Sequence, residues 1–220
     1  MTHASCIDTL IFDFDGVIAD TEPLYWRAWA EILDRRGIRF TWDQYCEIGL
    51  GIQDTQMIFK LRQFVENPSL LSGLEEQIPL RNELVRDKCI SELPIQRETI
   101  EMLHSLRSYR LGLVTSSTKV NVEPALRAAG VFDCFEAIVY GEDVENHKPA
   151  PAPYLLLGNR LNVKTGIVFE DSNAGITSAQ QAGFVVVPVG DPKHLPQLVY
   201  REIRFCQAEC KESVQSCGVG

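Results

Sequence analysis

The stretch Ile7-Asp8-Thr9-Leu10-Ile11-Phe12-Asp13-Phe14-Asp15-Gly16 decides the fold. Its β-compatible first part, Ile7 to Phe12, breaks at Asp13-Phe14-Asp15-Gly16, which is the form of a buried strand ending in a tight turn. Three later segments repeat it: Leu111 to Val114 ending at Thr115, Ala137 to Tyr140 ending at Gly141, and Ile167 to Phe169 ending at Glu170 and Asp171. Val185 to Val189 supplies a fifth. Between them, Val122, Ala125, Leu126 and Ala129 share a helical face with Gly130 placed to stop the helix, and Gly175, Ile176, Ala179 and Ala182 form a similar face before Gly183. Apolar strands alternating with amphipathic helices predict an α/β fold with a parallel sheet covered on both faces.

The interval from about Ile18 to about Cys89 breaks the alternation with helical patterns in succession and no strand, so it reads as a small all-helical insertion. Its first helix is expected to be capped by Asp20 or Thr21, to carry Glu22 and Pro23 in the first turn, and to bury Tyr25, Trp29 and Leu33. Helical signals continue through Trp42 to Ile48, Thr55 to Phe64 and Glu75 to Arg86. This organisation assigns 1–17 and 90–200 to the core, 18–89 to the insertion and 201–220 to a tail, whose weak periodicity and Gly218-Val219-Gly220 end predict fraying.

A chain of 220 residues with 45% hydrophobic and 23% charged residues suits a soluble globular protein of that size. No apolar run approaches the roughly 20 residues of a membrane helix, and no secretion signal stands at the N-terminus. A net charge of −9 disfavours nucleic acid as a partner. The seven cysteines, at 6, 46, 89, 134, 206, 210 and 217, lack the paired spacing of zinc sites and read as free thiols in a reducing, cytoplasmic setting. A monomer or weak dimer is the expectation.

Ligands of open parallel sheets bind beyond the carboxyl ends of the strands, where this sequence places Asp13, Asp15, Thr115, Ser116, Glu170 and Asp171. Four acidic groups at one sheet end repel one another unless a cation joins them, and an all-oxygen set favours Mg²⁺. A carboxylate beside a hard cation is a competent nucleophile toward phosphorus, and a second carboxyl two residues on can handle protons. Taken alone, Asp-Phe-Asp-Gly is as readily a polar turn, Thr115-Ser116 a helix cap and Lys148 a surface cation.

Together, Asp13-Phe14-Asp15-Gly16, Val114-Thr115-Ser116, Lys148-Pro149 and Phe169-Glu170-Asp171-Ser172 resemble, in order and context, the four motifs of the haloacid dehalogenase superfamily. Asp20-Thr21-Glu22-Pro23-Leu24 and the path from Ser172 through Gly175 to Ala182-Gly183 look like the branch with a small helical cap, which holds β-phosphoglucomutase and many sugar-phosphate and phosphoglycolate phosphatases. The resemblance implies a Rossmann-like core and catalysis by Asp13 as nucleophile and Asp15 as general acid/base, with Thr115 and Lys148 on the phosphoryl group. It implies Mg²⁺ held by Asp13, Asp15, Glu170 and Asp171, and a small phosphorylated metabolite met by Gly16, Thr21, Glu22, Gln53 and Ser116.

Dehalogenases of the superfamily lack the second aspartate, and phosphonatases need a cap lysine that Ile48-Gly49-Leu50-Gly51-Ile52-Gln53 does not offer. A phosphatase is therefore expected. The alternative is a β-phosphoglucomutase-type mutase, whose cap arginine is replaced here by Gln53 unless Lys60 or Arg62 substitutes. A catalytically idle binding protein on the same fold is the third reading.

Overall fold

The computed structural model describes residues 8–50 and 52–217. Thr9–Phe12 (β1), Arg110–Val114 (β2), Ala137–Val139 (β3), Ile167–Glu170 (β4) and Val185–Pro188 (β5) form one parallel sheet in the order β3-β2-β1-β4-β5. Each predicted strand is present; Ile7, expected to begin the first, lies outside the described residues.

Every residue of β1 is buried because the sheet has a core on each face. Leu10 and Phe12 pack with Leu111, Leu113, Ile167 and Phe169, whereas Ile11 faces the other way into Val114, Val168, Tyr154 and Leu157. A period of two within a wholly apolar run is what a doubly covered parallel strand requires. The chain builds outward from β1 first on one side and then on the other, so β1 marks the switch point, and the crevice opens at its carboxyl end.

The helices are Glu22–Asp34 (α1), Trp42–Ile48 (α2), Asp54–Leu61 (α3), Ile78–Glu92 (α4), Arg97–Ser105 (α5), Lys119–Ala128 (α6), Ala152–Leu161 (α7), Asn173–Gln181 (α8) and Leu195–Cys217 (α9). The first four carry an apolar cluster of their own, centred on Trp29, Leu33, Phe40, Met57, Leu61 and Leu74. The insertion meets the sheet core through paired linkers, where Asp20 N–H donates to the Pro94 carbonyl at 2.9 Å and Ala19 bridges to Ile95.

The tail departs from expectation. It is helical to Cys217, with α9 seated by buried Leu195 and Val199 and partly buried Ile203 and Cys206. That stripe begins before residue 201, so a reading confined to the last twenty residues cuts it in two. Gly218, Val219 and Gly220 lie outside the described residues. Cys46, Cys89 and Cys134 are free thiols, as expected; Cys6 and the side chains of Cys210 and Cys217 are not described. Among the described residues no helix is long and apolar enough to cross a membrane.

Candidate active site

Because β1 pairs with β2 on one side and β4 on the other, the residues that follow Phe12, Leu113 and Phe169 emerge side by side. Asp13 is thereby set against Glu170, and Lys148 reaches both from the β3–α7 connection. Its ammonium donates to Asp13 Oδ1 at 2.6 Å, to Glu170 Oε1 at 2.5 Å and to the Val114 carbonyl at 3.2 Å. The Tyr154 ring lies 5.2 Å from it, and the Tyr154 hydroxyl also donates to Glu170 Oε1 at 3.1 Å. Glu170 is wholly buried, and its second oxygen accepts from the backbone N–H and hydroxyl of Ser172, each at 3.0 Å.

Asp13, Glu170 and Asp171 each offer a carboxylate oxygen, all within 4.8 Å of one another. Asp171 is exposed by area but turns its carboxylate inward over Gly16, where a Cβ would lie 2.1 Å from Asp171 Oδ2. Gly16 also holds φ at +74°, so both the turn and the approach of Asp171 require glycine there.

Burial, then the neighbouring Glu170 and Asp15 carboxylates, pushes the Asp13 carboxyl well above the ordinary range, against the pull of Lys148. Burial alone would lower the Lys148 ammonium, but Asp13, Tyr154 and Glu170 override it and hold the lysine charged. Asp171 is pushed up to about 7, by loss of water on its inner side and then by Glu170. Three carboxylate oxygens brought this close together, with the ionisation of Asp13 and Asp171 opposed, suit a hard divalent cation.

Asp15 points away from this cluster. Its Oδ1 accepts from Thr21 Oγ1 at 2.7 Å and Tyr25 Oη at 3.1 Å, and its Oδ2 accepts from Ser117 Oγ at 2.8 Å and Thr115 Oγ1 at 3.4 Å. Thr21 occupies the N-cap position of α1 but makes no capping hydrogen bond; its hydroxyl is spent on Asp15 instead. Ser116, expected beside Thr115, is exposed, and Ser117 is the serine that reaches Asp15.

Over these groups lies a cleft of about 360 Å³ between the helical insertion and the β2–α6 loop, lined by Glu22, Gln53, Asp54, Arg81, Asn82, Ser116, Ser117 and Asn121, among others. Gln53 is on its wall, and Glu22 accepts from Tyr45 Oη at 2.5 Å. Lys60 and Arg62 are exposed, and Arg62 stacks on Phe59 away from the cleft. The cationic side chain in the cleft is Arg81, buried to 9% exposure, ion-paired to Asp54 and stacked 4.9 Å from the Tyr25 ring centroid, with no hydrogen-bond partner for Nε among the described residues. Trp29 Nε1 donates to the same Asp54 at 2.8 Å.

Sequence reasoning missed Ser117, Arg81, Tyr154 and the polar role of Tyr25. For Tyr25 a signal existed, since it stands four residues after Thr21 and so shares its helical face. Arg81 carries no such mark within α4, whose apolar pattern is weak.

A family model described as haloacid dehalogenase-like hydrolase matches residues 10–189. The phosphorylated carbohydrates phosphatase of Thermotoga maritima is 33% identical over 179 residues, 80% of this chain and 82% of that protein. The fructose-1-phosphate phosphatase of Escherichia coli is 34% identical over 186 residues, 82% of this chain and 95% of that one. The crystal structure of a candidate β-phosphoglucomutase from Thermotoga maritima superimposes with a TM-score of 0.70 at 27% identity, covering 89% of this chain and 99% of the other.

Proposed function

Because the chain belongs to the haloacid dehalogenase-like hydrolase family, we propose that it is a Mg²⁺-dependent phosphatase of small phosphorylated metabolites, acting through an aspartyl-phosphate on Asp13. The carrying observation is the meeting of Asp13, Lys148, Glu170 and Asp171, from three separate parts of the chain, within one cluster.

In this reading an Asp13 carboxylate oxygen forms a bond to phosphorus as the bond from phosphorus to the ester oxygen breaks. Lys148 fixes the Asp13 carboxylate and offers a compact positive charge to the phosphoryl oxygens. Thr115, at the carboxyl end of β2, adds a hydroxyl. Asp15 gives a proton to the departing oxygen, then takes one from the water that attacks phosphorus and returns Asp13 to its free form. Asp13, Glu170 and Asp171, with the Asp15 backbone, would hold Mg²⁺, which when bound neutralises charge on the transferring group.

The cleft favours a neutral, hydroxyl-rich leaving group. Its lining sets the carboxylates of Glu22 and Asp54 against the one guanidinium of Arg81, already paired to Asp54, and surrounds them with amides and hydroxyls. A second phosphate or a carboxylate on the substrate would meet a wall that is net negative among the described residues, whereas sugar hydroxyls would find donors and acceptors in alternation. Two relatives named as phosphatases of phosphorylated sugars support the same class.

The specific observation on the side of a mutase is Arg81, a buried cap cation with an unpartnered Nε. Phosphate release from a panel of sugar monophosphates in Mg²⁺ separates the readings. Stoichiometric phosphate with no sugar isomer is the expected result; conversion of β-glucose 1-phosphate to glucose 6-phosphate without phosphate release would replace the phosphatase with the mutase.

A further inference from the structure

Two residues just past β3 are held against the loop that follows β2. Gly141 N–H donates to the Ser117 carbonyl at 3.0 Å, and the Glu142 carboxylate accepts from the Lys119 N–H through both oxygens, at 2.9 and 3.2 Å. A Cβ on Gly141 would lie 2.3 Å from the Ser116 carbonyl oxygen, so the approach is closed to any side chain. Thr118, the N-cap residue of α6, makes no side-chain cap of its own, and Glu142 supplies the acceptor from a distant segment. Ser116, Ser117 and Thr118, pinned in this way, line the cleft.

The clamp reaches Thr115 through the backbone. Thr115 Oγ1 accepts from Ser117 N–H at 3.0 Å, which engages the hydroxyl as an acceptor and leaves its proton to be donated elsewhere. That proton has a long partner, Asp15 Oδ2 at 3.4 Å, and is readily redirected. We propose that Gly141 and Glu142 are positioning residues that hold the Thr115 hydroxyl as a hydrogen-bond donor to the phosphoryl group. The proposal rests on the phosphatase reading, in which Thr115 and Lys148 share that group. Because Lys148 stands later in the same β3–α7 connection, one segment sets both.

The turn that carries the clamp is itself fixed. Gly141–Asp143 forms a single 3₁₀ turn, in which Asp143 N–H donates to the Tyr140 carbonyl at 3.0 Å and Tyr140 N–H donates to the Asp143 carboxylate at 2.9 Å. Arg160 of α7 pairs with the same carboxylate at 2.9 Å and also donates to the Ile138 carbonyl on β3. Glu142 is exposed, so solvent screens its charge. What it contributes is therefore a pair of acceptor oxygens at a set place, and glutamine, neutral and of the same length, keeps one of them.

The measurement is the competitive inhibition constant of inorganic phosphate against p-nitrophenyl phosphate in Mg²⁺, taken well below the unfolding temperature, together with kcat/KM. Glu142 lies at the surface, so Glu142→Ala empties no part of the core and should fold. It is expected to raise the inhibition constant about fivefold and to lower kcat/KM by at least as much, the scale of one hydrogen bond. Glu142→Gln should stay within about twofold of wild type. In a Thr115→Val background, itself weaker in phosphate binding, Glu142→Ala should add less than about twofold, because its route to the phosphoryl group is already gone. A cap that serves stability alone lowers Tm in both backgrounds and leaves the inhibition constant where it was. That result, losses that multiply in the double variant, or a Glu142→Gln enzyme as weak as Glu142→Ala would each overturn the positioning role. If Thr115→Val leaves phosphate binding unchanged, Thr115 is not the donor, and the proposal falls while the phosphatase reading stands. A wild-type enzyme that neither binds phosphate nor hydrolyses any phosphate ester removes both.

Discussion

Replacing Lys148 with methionine withdraws a charge from a site largely shielded from water. The lysine side chain is 6% exposed and contacts Asp13 at 2.6 Å and Glu170 at 2.5 Å, side chains that are themselves 8% and 0% exposed. Methionine preserves much of the stem's volume, so the principal change is two buried carboxylates left without their cation. Breaking a buried ion pair from one side costs about 3–5 kcal/mol, and in a chain of this size each kcal/mol lowers Tm by about 2–4 °C, so a fall of roughly 6–20 °C is expected in chelator. The sign of the pH dependence follows from Asp13. Its carboxyl already lies above the ordinary range, and Lys148 supplies the attraction that opposes the shift, so the substitution moves it further up. A carboxyl whose folded pKa exceeds its unfolded one contributes stability while protonated and loses it as pH rises through the folded value. The deficit should therefore be larger at about pH 8 than at about pH 5, the limits between which folded proteins are generally most stable. Thermal unfolding followed by circular dichroism at both pH values measures it. A Tm within about 2 °C of wild type at the higher pH, or a deficit that shrinks as pH rises, would refute the claim that Lys148 neutralises this site.

Asp13→Asn should fold normally, since it removes a charge whose burial is unfavourable, yet lose turnover of p-nitrophenyl phosphate by on the order of a thousandfold or more; retained activity would disprove the nucleophile. Gly16→Ala must adopt φ +74° and place a Cβ 2.1 Å from Asp171 Oδ2. We expect about 1–2 kcal/mol of destabilisation from the backbone alone, read by denaturant unfolding, and a rise in the Mg²⁺ concentration for half-maximal activity. Treatment with EDTA should silence the enzyme and added Mg²⁺ restore it; full activity in chelator would exclude an essential metal.

The alternation of apolar strands and helices made the sheet legible from the chain alone, because a strand buried on both faces cannot avoid a continuous apolar run. Asp13, Glu170 and Asp171 were equally legible, since topology delivers the residue after each strand to one edge of the sheet. The helical end of the chain was not, because the apolar stripe that seats α9 starts at Leu195, before the window in which the tail was read. Nor was the choice of Ser117 over Ser116, or of Arg81 over Lys60 and Arg62. Strand ends are set by local pattern, which sequence records directly. Which hydroxyl meets Asp15, and which cation enters the cleft, depends on how α1 and α4 lie across the core, and that is decided by packing between segments far apart in the chain.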